Sequence, residues 1–372
     1  MKIVCSKFDL SKGIQTVQNV VSTKTTLPIL SHILLETKEN QLRLASTDLE
    51  TGIECLIPAK ILEEGGTTVP ARKIGEIVRE LPEAEVSLTV NEKIITLDCQ
   101  KGVFKFSGLG KEDFPEIPQL EEKRSFTLRE DTLKEMFKKT SFAISHDETR
   151  YALNGTFFVI RDNKLKLVAT DGRRLAYIER AINLPQNVES EVIVPTKASN
   201  ELSRILDEGT GELKIVLGEN QIAFHLDKIR LVSRLIEGHF PDYRKVIPKK
   251  YKERVILERE PFLLSLKRVA VLTSEKSSSV RLDISKNRVL LTTTAPEVGD
   301  AREELVLDYA GEDISVAFNP IYMIDFLKNV EEEKIYLELT DSVSPGLMRP
   351  AGSNEGLSAE EKYFYVIMPM KL

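Results

Sequence analysis

The sequence predicts an α+β protein of three similar domains, each with two helices packed on antiparallel sheets. Three observations predict it. A set of short motifs recurs about every 125 residues, each recurrence holds two apolar stretches of helical period, and the segments between them alternate as strands do. Length agrees, because 372 residues exceed one comfortable hydrophobic core and favour two or three.

The recurrence is explicit. "QLRLASTDLETGIE" (41–54) is echoed by "KLKLVATDGRRLAYIE" (164–179) and, faintly, by "RVLLTTTAPEVGDAREE" (288–304). After each echo a strand runs into a helix: "TTVPARKIGEIVREL", "VIVPTKASNELSRIL" and "ISVAFNPIYMIDFLKNV". Pro70, Pro195 and Pro320 are spaced by 125 residues, which places a proline in each first helical turn, where its missing N–H costs nothing. "FP" recurs at Phe114-Pro115 and Phe240-Pro241.

Each unit opens with its own helix. Leu10, Ile14, Val17 and Val21 mark one apolar face of the first. The predicted helices are 9–21, 70–80, 129–143, 196–206, 261–272 and 320–330, and the domains 1–123, 124–252 and 253–372. "KIITLDC" and "GVFKFSG" alternate as strands.

Composition bounds function. The net charge is −6, yet the six helical stretches carry 13 basic and 8 acidic residues, leaving the rest of the chain at −11. The helices are equally well read as solvated faces or as one mildly basic surface attracting phosphates without sequence preference. The apolar runs are strand-sized, far from the roughly 20 residues of a membrane span. "MKIVCSKFDL" lacks a leader's apolar stretch, so the expected location is the cytoplasm, with no membrane contact. Cys5, Cys55 and Cys99 form neither a disulfide framework nor a zinc site, and His32, His146, His225 and His239 lack ligand spacing. No metal or cofactor is implied. Phosphate loops, dinucleotide fingerprints, nucleophile elbows and zincin motifs are missing. No catalytic residue is therefore assigned. Asp171 in "TDGRRL" reads as a residue that hydrogen-bonds its own turn. The last ten residues, "YFYVIMPMKL", hold nine apolar or aromatic side chains, either a packed final strand or a surface left open for a partner.

At "TDGRRLA", "HFPDYRKVIP" (239–248), "TLPILSHILLE" (26–36), "TTVPARK" (67–73), "LTDSVS" (339–344) and "YVIMPMKL", the sequence resembles the bacterial DNA sliding clamps, the beta subunits of the replicative DNA polymerase III holoenzyme, over its whole length. The resemblance implies a head-to-tail homodimer closed into a six-domain ring, with sheets outside and helices lining the hole. It implies a non-enzymatic processivity factor that encircles double-stranded DNA, slides without sequence specificity, and is found at replication forks.

Its implied partners are the replicative polymerase catalytic subunit, the clamp-loader ATPase, and other polymerases and repair proteins, all docking through short peptide motifs. By resemblance the peptide pocket comprises Leu153, Thr170, Gly172, Arg173, Arg174, Leu175, Pro241, Lys245 and Val246. The third domain adds Asn319, Tyr322, Val343, Val366, Ile367, Met368, Pro369, Met370 and Lys371. Leu153, Leu175, Val246, Val366 and Met368 suit an apolar floor, and Arg174 and Lys245 a polar rim.

Lys24, Arg72, Lys73, Tyr151 and Lys197 match DNA-facing positions. Phe104 and Phe106 are expected against Val271 and Leu272 of a second chain, or else in their own domain's core. The chain departs from the family pattern in a long connection, "SPGLMRPAGSNEGLSAEEKY" (344–363), expected as a mobile loop beside the pocket, in Ala152 where an aromatic is frequent, and in Lys371 where arginine is common.

Overall fold

The structure is a computed structural model and describes residues 1–22, 25–185, 188–206, 211–273, 279–296, 298–351 and 361–371. The chain forms two compact units. One holds Met1–Thr132, Pro185–Val188 and Lys197–Leu235, the other Leu133–Leu184, Glu189–Thr196 and Ile236–Leu372. The expected central domain is thus shared between them.

Six α-helices lie where the repeat placed them: α1 (Lys7–Val17), α2 (Ala71–Glu80), α3 (Glu130–Lys138), α4 (Thr196–Ile205), α5 (Arg259–Ala270) and α6 (Pro320–Lys328). Ser6 caps α1 by accepting the N–H of Asp9 at 3.0 Å, and Leu10, Ile14 and Val17 face the core. Asn319 caps α6 through the N–H of Ile321 at 2.9 Å.

Three expectations need correction. Only Pro320 occupies a first helical turn; Pro70 and Pro195 are the last residues of the preceding strands, where a proline ends pairing. The helix expected to reach Val21 stops at Val17, and side chains distant in sequence take carbonyls at its end and beyond it. Ser46 Oγ bonds Val17 O at 2.5 Å, Arg204 Nη2 bonds Thr16 O at 2.7 Å, and Lys197 Nζ bonds Val20 O at 2.8 Å. The helix expected over 129–143 likewise closes at Lys138, where the Thr140 hydroxyl donates to Met136 O at 2.8 Å and the chain tightens into a 3₁₀ turn at Ser141–Ala143.

In the first unit a five-stranded sheet runs in the order Lys60–Glu63, Lys2–Ser6, Glu85–Asn91, Ile94–Cys99 and Gly102–Ser107. Its eight-stranded sheet joins Ser125–Arg129, Glu212–Leu217, Gln221–Leu226 and Ile229–Arg234 to Thr51–Pro58, Gln41–Thr47, His32–Lys38 and Gly66–Pro70. The join pairs Arg230 with Glu54. The Arg230 guanidinium bonds Glu54 Oε1 at 2.8 Å while Arg43 holds Oε2 at 2.5 Å.

The second unit repeats this plan. Its eight-stranded sheet joins Ser190–Pro195, Gly155–Arg161, Lys164–Thr170 and Arg174–Ala181 to Glu361–Ile367, Gly346–Pro350, Lys334–Leu339 and Glu253–Glu258. A four-stranded sheet runs Gly299–Val306, Arg288–Ala295, Val280–Ser285 and Ile314–Phe318. The 344–363 stretch is therefore not all connection, since Gly346–Pro350 pairs with both neighbouring strands; residues 352–360 lie outside the described residues.

Candidate peptide-binding site at the C-terminal strand

The final strand, Glu361–Ile367, resists fraying because it is paired on both edges, with Arg174–Ala181 and with Gly346–Pro350. Tyr363, Tyr365, Val366 and Ile367 are buried, and Met368 emerges 37% exposed. Beyond the strand, Met368 N bonds Arg173 O at 2.9 Å and Met370 N bonds Ala317 O at 2.8 Å.

A cavity of about 150 Å³ opens beside this end. Leu153, Leu175, Val246, Val366 and Met368 supply its apolar lining; Thr170, Gly172 and Arg174 form one wall, and Pro241, Asp242 and Tyr243 another. Its floor is stiffened by aromatic pairs. Phe157 stacks on Phe240 with centroids 4.6 Å apart, Tyr177 on Phe364 at 4.5 Å, and Tyr243 meets Phe157 edge-on at 6.3 Å. Burial pushes the Tyr177 hydroxyl upward, and it donates to Glu179 at 2.6 Å.

The Thr170–Arg174 wall is a turn held by its own side chains. Asp171 Oδ1 accepts the N–H groups of Arg173 at 2.9 Å and Arg174 at 3.0 Å, the role expected for it. Gly172 suits the turn because its φ is +85°, and a Cβ there would come within 2.6 Å of Arg150 Nη1, so the arginine would have to shift. Arg150 Nη1 bonds Asp171 O at 3.0 Å.

Arg174 does not stand out as a rim. Its guanidinium bonds Asp171 at 3.0 Å and Asp325 at 2.7 Å and lies 4.4 Å from the centre of the Tyr322 ring. Burial opposes its charge, but Tyr365, Asp325 and Asp171 more than compensate and hold its pKa above the ordinary value. It is a clamp joining the turn to α6.

Nine of the expected pocket residues line the cavity. Of the others, Arg173, Lys245 and Lys371 are exposed, Pro369 and Met370 are half-buried, and Ile367 is wholly core. Asn319 caps α6 beside exposed Ile321, and Val343 is 80% exposed on a turn held by Asp341. Asp242 and Tyr243 were missed, although they lie inside "HFPDYRKVIP". Asp242 caps the short turn Tyr243–Lys245, and a capping Asp directly after Pro241 was the available signal.

Of the expected DNA-facing residues, Lys24 lies outside the described residues. Arg72 and Lys73 are exposed on α2 and share Glu76 at 2.8 and 3.3 Å. Tyr151 is 61% exposed. Lys197 is held by Asp48 at 2.5 Å as well as by Val20 O. Phe104 sits on the edge strand Gly102–Ser107, 37% exposed, with Phe106 half-buried; Val271 is 74% exposed just past α5, and Leu272 is half-buried. Among the described residues no group of His, Cys, Asp and Glu has metal-binding geometry, and no helix is long and apolar enough to cross a membrane. Burial pushes the Cys5 and Cys55 thiols up to about 12.

Three family models match in order: DNA polymerase III beta subunit, N-terminal domain over residues 1–118, central domain over 127–242 and C-terminal domain over 244–371. The beta sliding clamp of Chlamydia muridarum is 35% identical, covering 100% of this chain and 99% of that protein. The beta sliding clamp of Escherichia coli strain K12 is 35% identical with both chains fully covered. Among solved structures, the DNA polymerase III subunit beta of Pseudomonas aeruginosa superposes with a TM-score of 0.91 at 33% identity, both chains fully covered. A sliding clamp from Bartonella birtlesii bound to griselimycin gives 0.95 at 32%, again over both full chains.

Proposed function

The chain belongs to the DNA polymerase III beta subunit family, the sliding clamps, and from that premise we propose how its surfaces serve a clamp. It is a non-catalytic processivity factor of three-domain clamp fold. The domains are proposed at 1–123, 124–252 and 253–372. Encircling duplex DNA replaces affinity with topology, so a tethered polymerase stays at high effective concentration near the primer end while the clamp slides. Exposed Arg72, Lys73 and Tyr151 suit weak, sequence-independent phosphate contact, whereas the ion pair of Lys197 with Asp48 gives that residue a capping role as well. The protein works in the cytoplasm, at replication forks.

The observation that carries the partner reading is the apolar cavity where Val366 and Met368 meet Leu153, Leu175 and Val246. Its dimensions suit one leucine or phenylalanine anchor of a short peptide from a polymerase, a clamp loader or a repair protein, and Met368 adapts to different anchors.

Dimerisation is supported by a rule repeated within the chain. Thr51–Pro58 pairs antiparallel with Ile229–Arg234, and Arg174–Ala181 pairs in the same way with Glu361–Ile367. Continuing the series leaves Gly299–Val306 and Gly102–Ser107 as open edges. Joined across two copies in the register of Thr51–Pro58 with Ile229–Arg234, they set Lys105 opposite Asp300 and Lys101 opposite Glu304, all four exposed. The edge phenylalanines Phe104 and Phe106 then face Val271 and Leu272 of the second copy, and two copies close a six-domain ring.

The test is retention on DNA of different topology. Protein loaded on nicked circular DNA should survive gel filtration in moderate salt and be lost once the circle is cut. Equal retention before and after cutting would refute encirclement.

A further inference from the structure

The first residue of each leading helix is fixed in the same way in all three repeats. Lys7 N, at the start of α1, bonds Ala84 O at 2.9 Å; Glu130 N, at the start of α3, bonds Gly211 O at 3.0 Å; and Arg259 N, at the start of α5, bonds Glu333 O at 2.8 Å. In the first and third repeats this residue is a cation, and the chain supplies its partner. Glu83 meets the Lys7 ammonium at 2.6 Å, and Leu327 O accepts from Arg259 Nη1 at 3.4 Å. The second repeat reverses the sign. Glu130 is 6% exposed, and among the described residues its carboxylate has neither a hydrogen-bond donor nor an ion partner.

The positive end of α3 favours a negative charge at Glu130 but gives the two oxygens no donor. A carboxylate so far withdrawn from water and left unpaired is costly until a counter-charge reaches it. The space beside it can hold one. Glu130 lines a cavity of about 370 Å³ within the first unit, inside the size range of small-molecule sites. Ile57 of the first repeat and Ile205 and Leu226 of the second give it apolar walls. Asp9 and Asp227 bring two further carboxylates, against the ammonium groups of Lys12, which has a partner of its own, and of Lys228, exposed beside Asp227.

We propose that this cavity binds a small aliphatic amine, with the ammonium group on Glu130 and the hydrocarbon body against Ile57, Ile205 and Leu226. The charged hydrogen bond answers the one carboxylate the fold leaves alone, and the apolar walls exclude an inorganic cation's hydration shell while accepting an alkyl chain. The walls come from the first and second repeats alike, so a bound amine ties the two together and stabilises the folded chain by mass action. The site shares no residue with the tail cavity and does not rest on the clamp reading.

The experiment titrates the full-length protein with pentylammonium chloride at constant ionic strength, read by ligand-observed NMR and by thermal melts. Saturable binding is expected, with a melting midpoint that climbs as amine is added. Pentanol, which has the same body without the charge, should bind at least tenfold more weakly. Glu130→Gln should weaken amine binding at least tenfold and remove the climb, and Glu130→Asp, which keeps the charge but draws it back, should weaken binding severalfold should the glutamine disturb the fold. Lys228→Met, which removes a competing cation, should bind the amine at least as tightly as wild type, and Met368→Ala should bind it equally. No saturable binding, pentanol binding as tightly as the amine, indifference to both Glu130 substitutions, or loss of binding in Lys228→Met or Met368→Ala would overturn the proposal. So would acetyl-lysine methylamide binding more tightly than the free amine, by giving the cavity to a lysine side chain of another protein.

Discussion

Met368→Ala separates recognition from folding. Met368 is 37% exposed at the lip of the tail cavity, so part of its side chain is still open to a partner, whereas Val366, 1% exposed, serves both core and cavity. Truncation removes three side-chain atoms beyond Cβ. At ~0.8 kcal/mol per buried methylene-sized group, and with only the 37% still exposed left to cover, a peptide anchor loses about 1 kcal/mol. That corresponds to roughly fivefold weaker binding. Val366→Ala should weaken binding too, but it also costs the fold about 1–3 kcal/mol through the cavity it leaves. The assay is anisotropy with a labelled polymerase-derived peptide, paired with thermal melts of each variant. Met368→Ala should lose affinity with a smaller drop in midpoint than Val366→Ala, which should lose both. A Met368→Ala protein with affinity within threefold of wild type, or with a lowered midpoint and unchanged affinity, would refute the assignment of this cavity.

The edge-to-edge dimer predicts a charge-swap result: Lys105→Asp should weaken self-association about tenfold, and adding Asp300→Lys should restore it, measured by sedimentation velocity across a dilution series. A double variant no tighter than the single one would count against the register. Acid stability offers a further check. Burial pushes Glu54 upward, yet the bond from Arg230 and the charge and bond of Arg43 overcome it and hold the carboxyl below its ordinary 4.5. A carboxylate lowered on folding stabilises fully above the unfolded value and loses that contribution as pH falls through the folded one. Glu54→Gln should therefore lower the melting midpoint more at pH 7 than near pH 3; an equal difference at both would exclude the linkage.

Much of this was legible because repetition is a sequence property. The six helices, the Thr-Asp turns and the apolar tail could be read from spacing alone, and Leu153, Leu175, Val246, Val366 and Met368 do meet at one cavity. What was hidden depends on contacts between distant segments. α1 ends at Val17, where Ser46 and Arg204 take the carbonyls of Val17 and Thr16 and Lys197 takes that of Val20 beyond it, and no local signal in the stretch reports those partners. Gly346–Pro350 begins with glycine and ends with proline, which reads as loop. It forms a strand because Leu347 and Met348 find Val366 and Tyr365 already in place. Arg174 reads as a surface cation from sequence, yet Asp325, 151 residues away, draws it into the wall of the site.

The matching places in the two units are filled differently, and the difference shapes the tail cavity. Gly52 and Val232 face each other across the first join, as Leu175 and Val366 do across the second. At the first, Ile117 packs so closely over Gly52 that a Cβ there would lie 2.9 Å from its Cγ2. Ile117 and Leu120 then cover Val216, Ala223 and Val232 in one closed cluster. At the second, Tyr243 stands where the shared "FP" motif puts Ile117, and the shorter Val246 stands where Leu120 does, 39% exposed. Tyr243 fills the floor by lying against Phe157 and Tyr177, while Val246, shorter than a leucine, leaves space over Leu175 and Val366. The site therefore needed no new architecture. The join that Ile117 and Leu120 cover in one unit is covered by Tyr243 and the shorter Val246 in the other, and a cavity of about 150 Å³ stays open there.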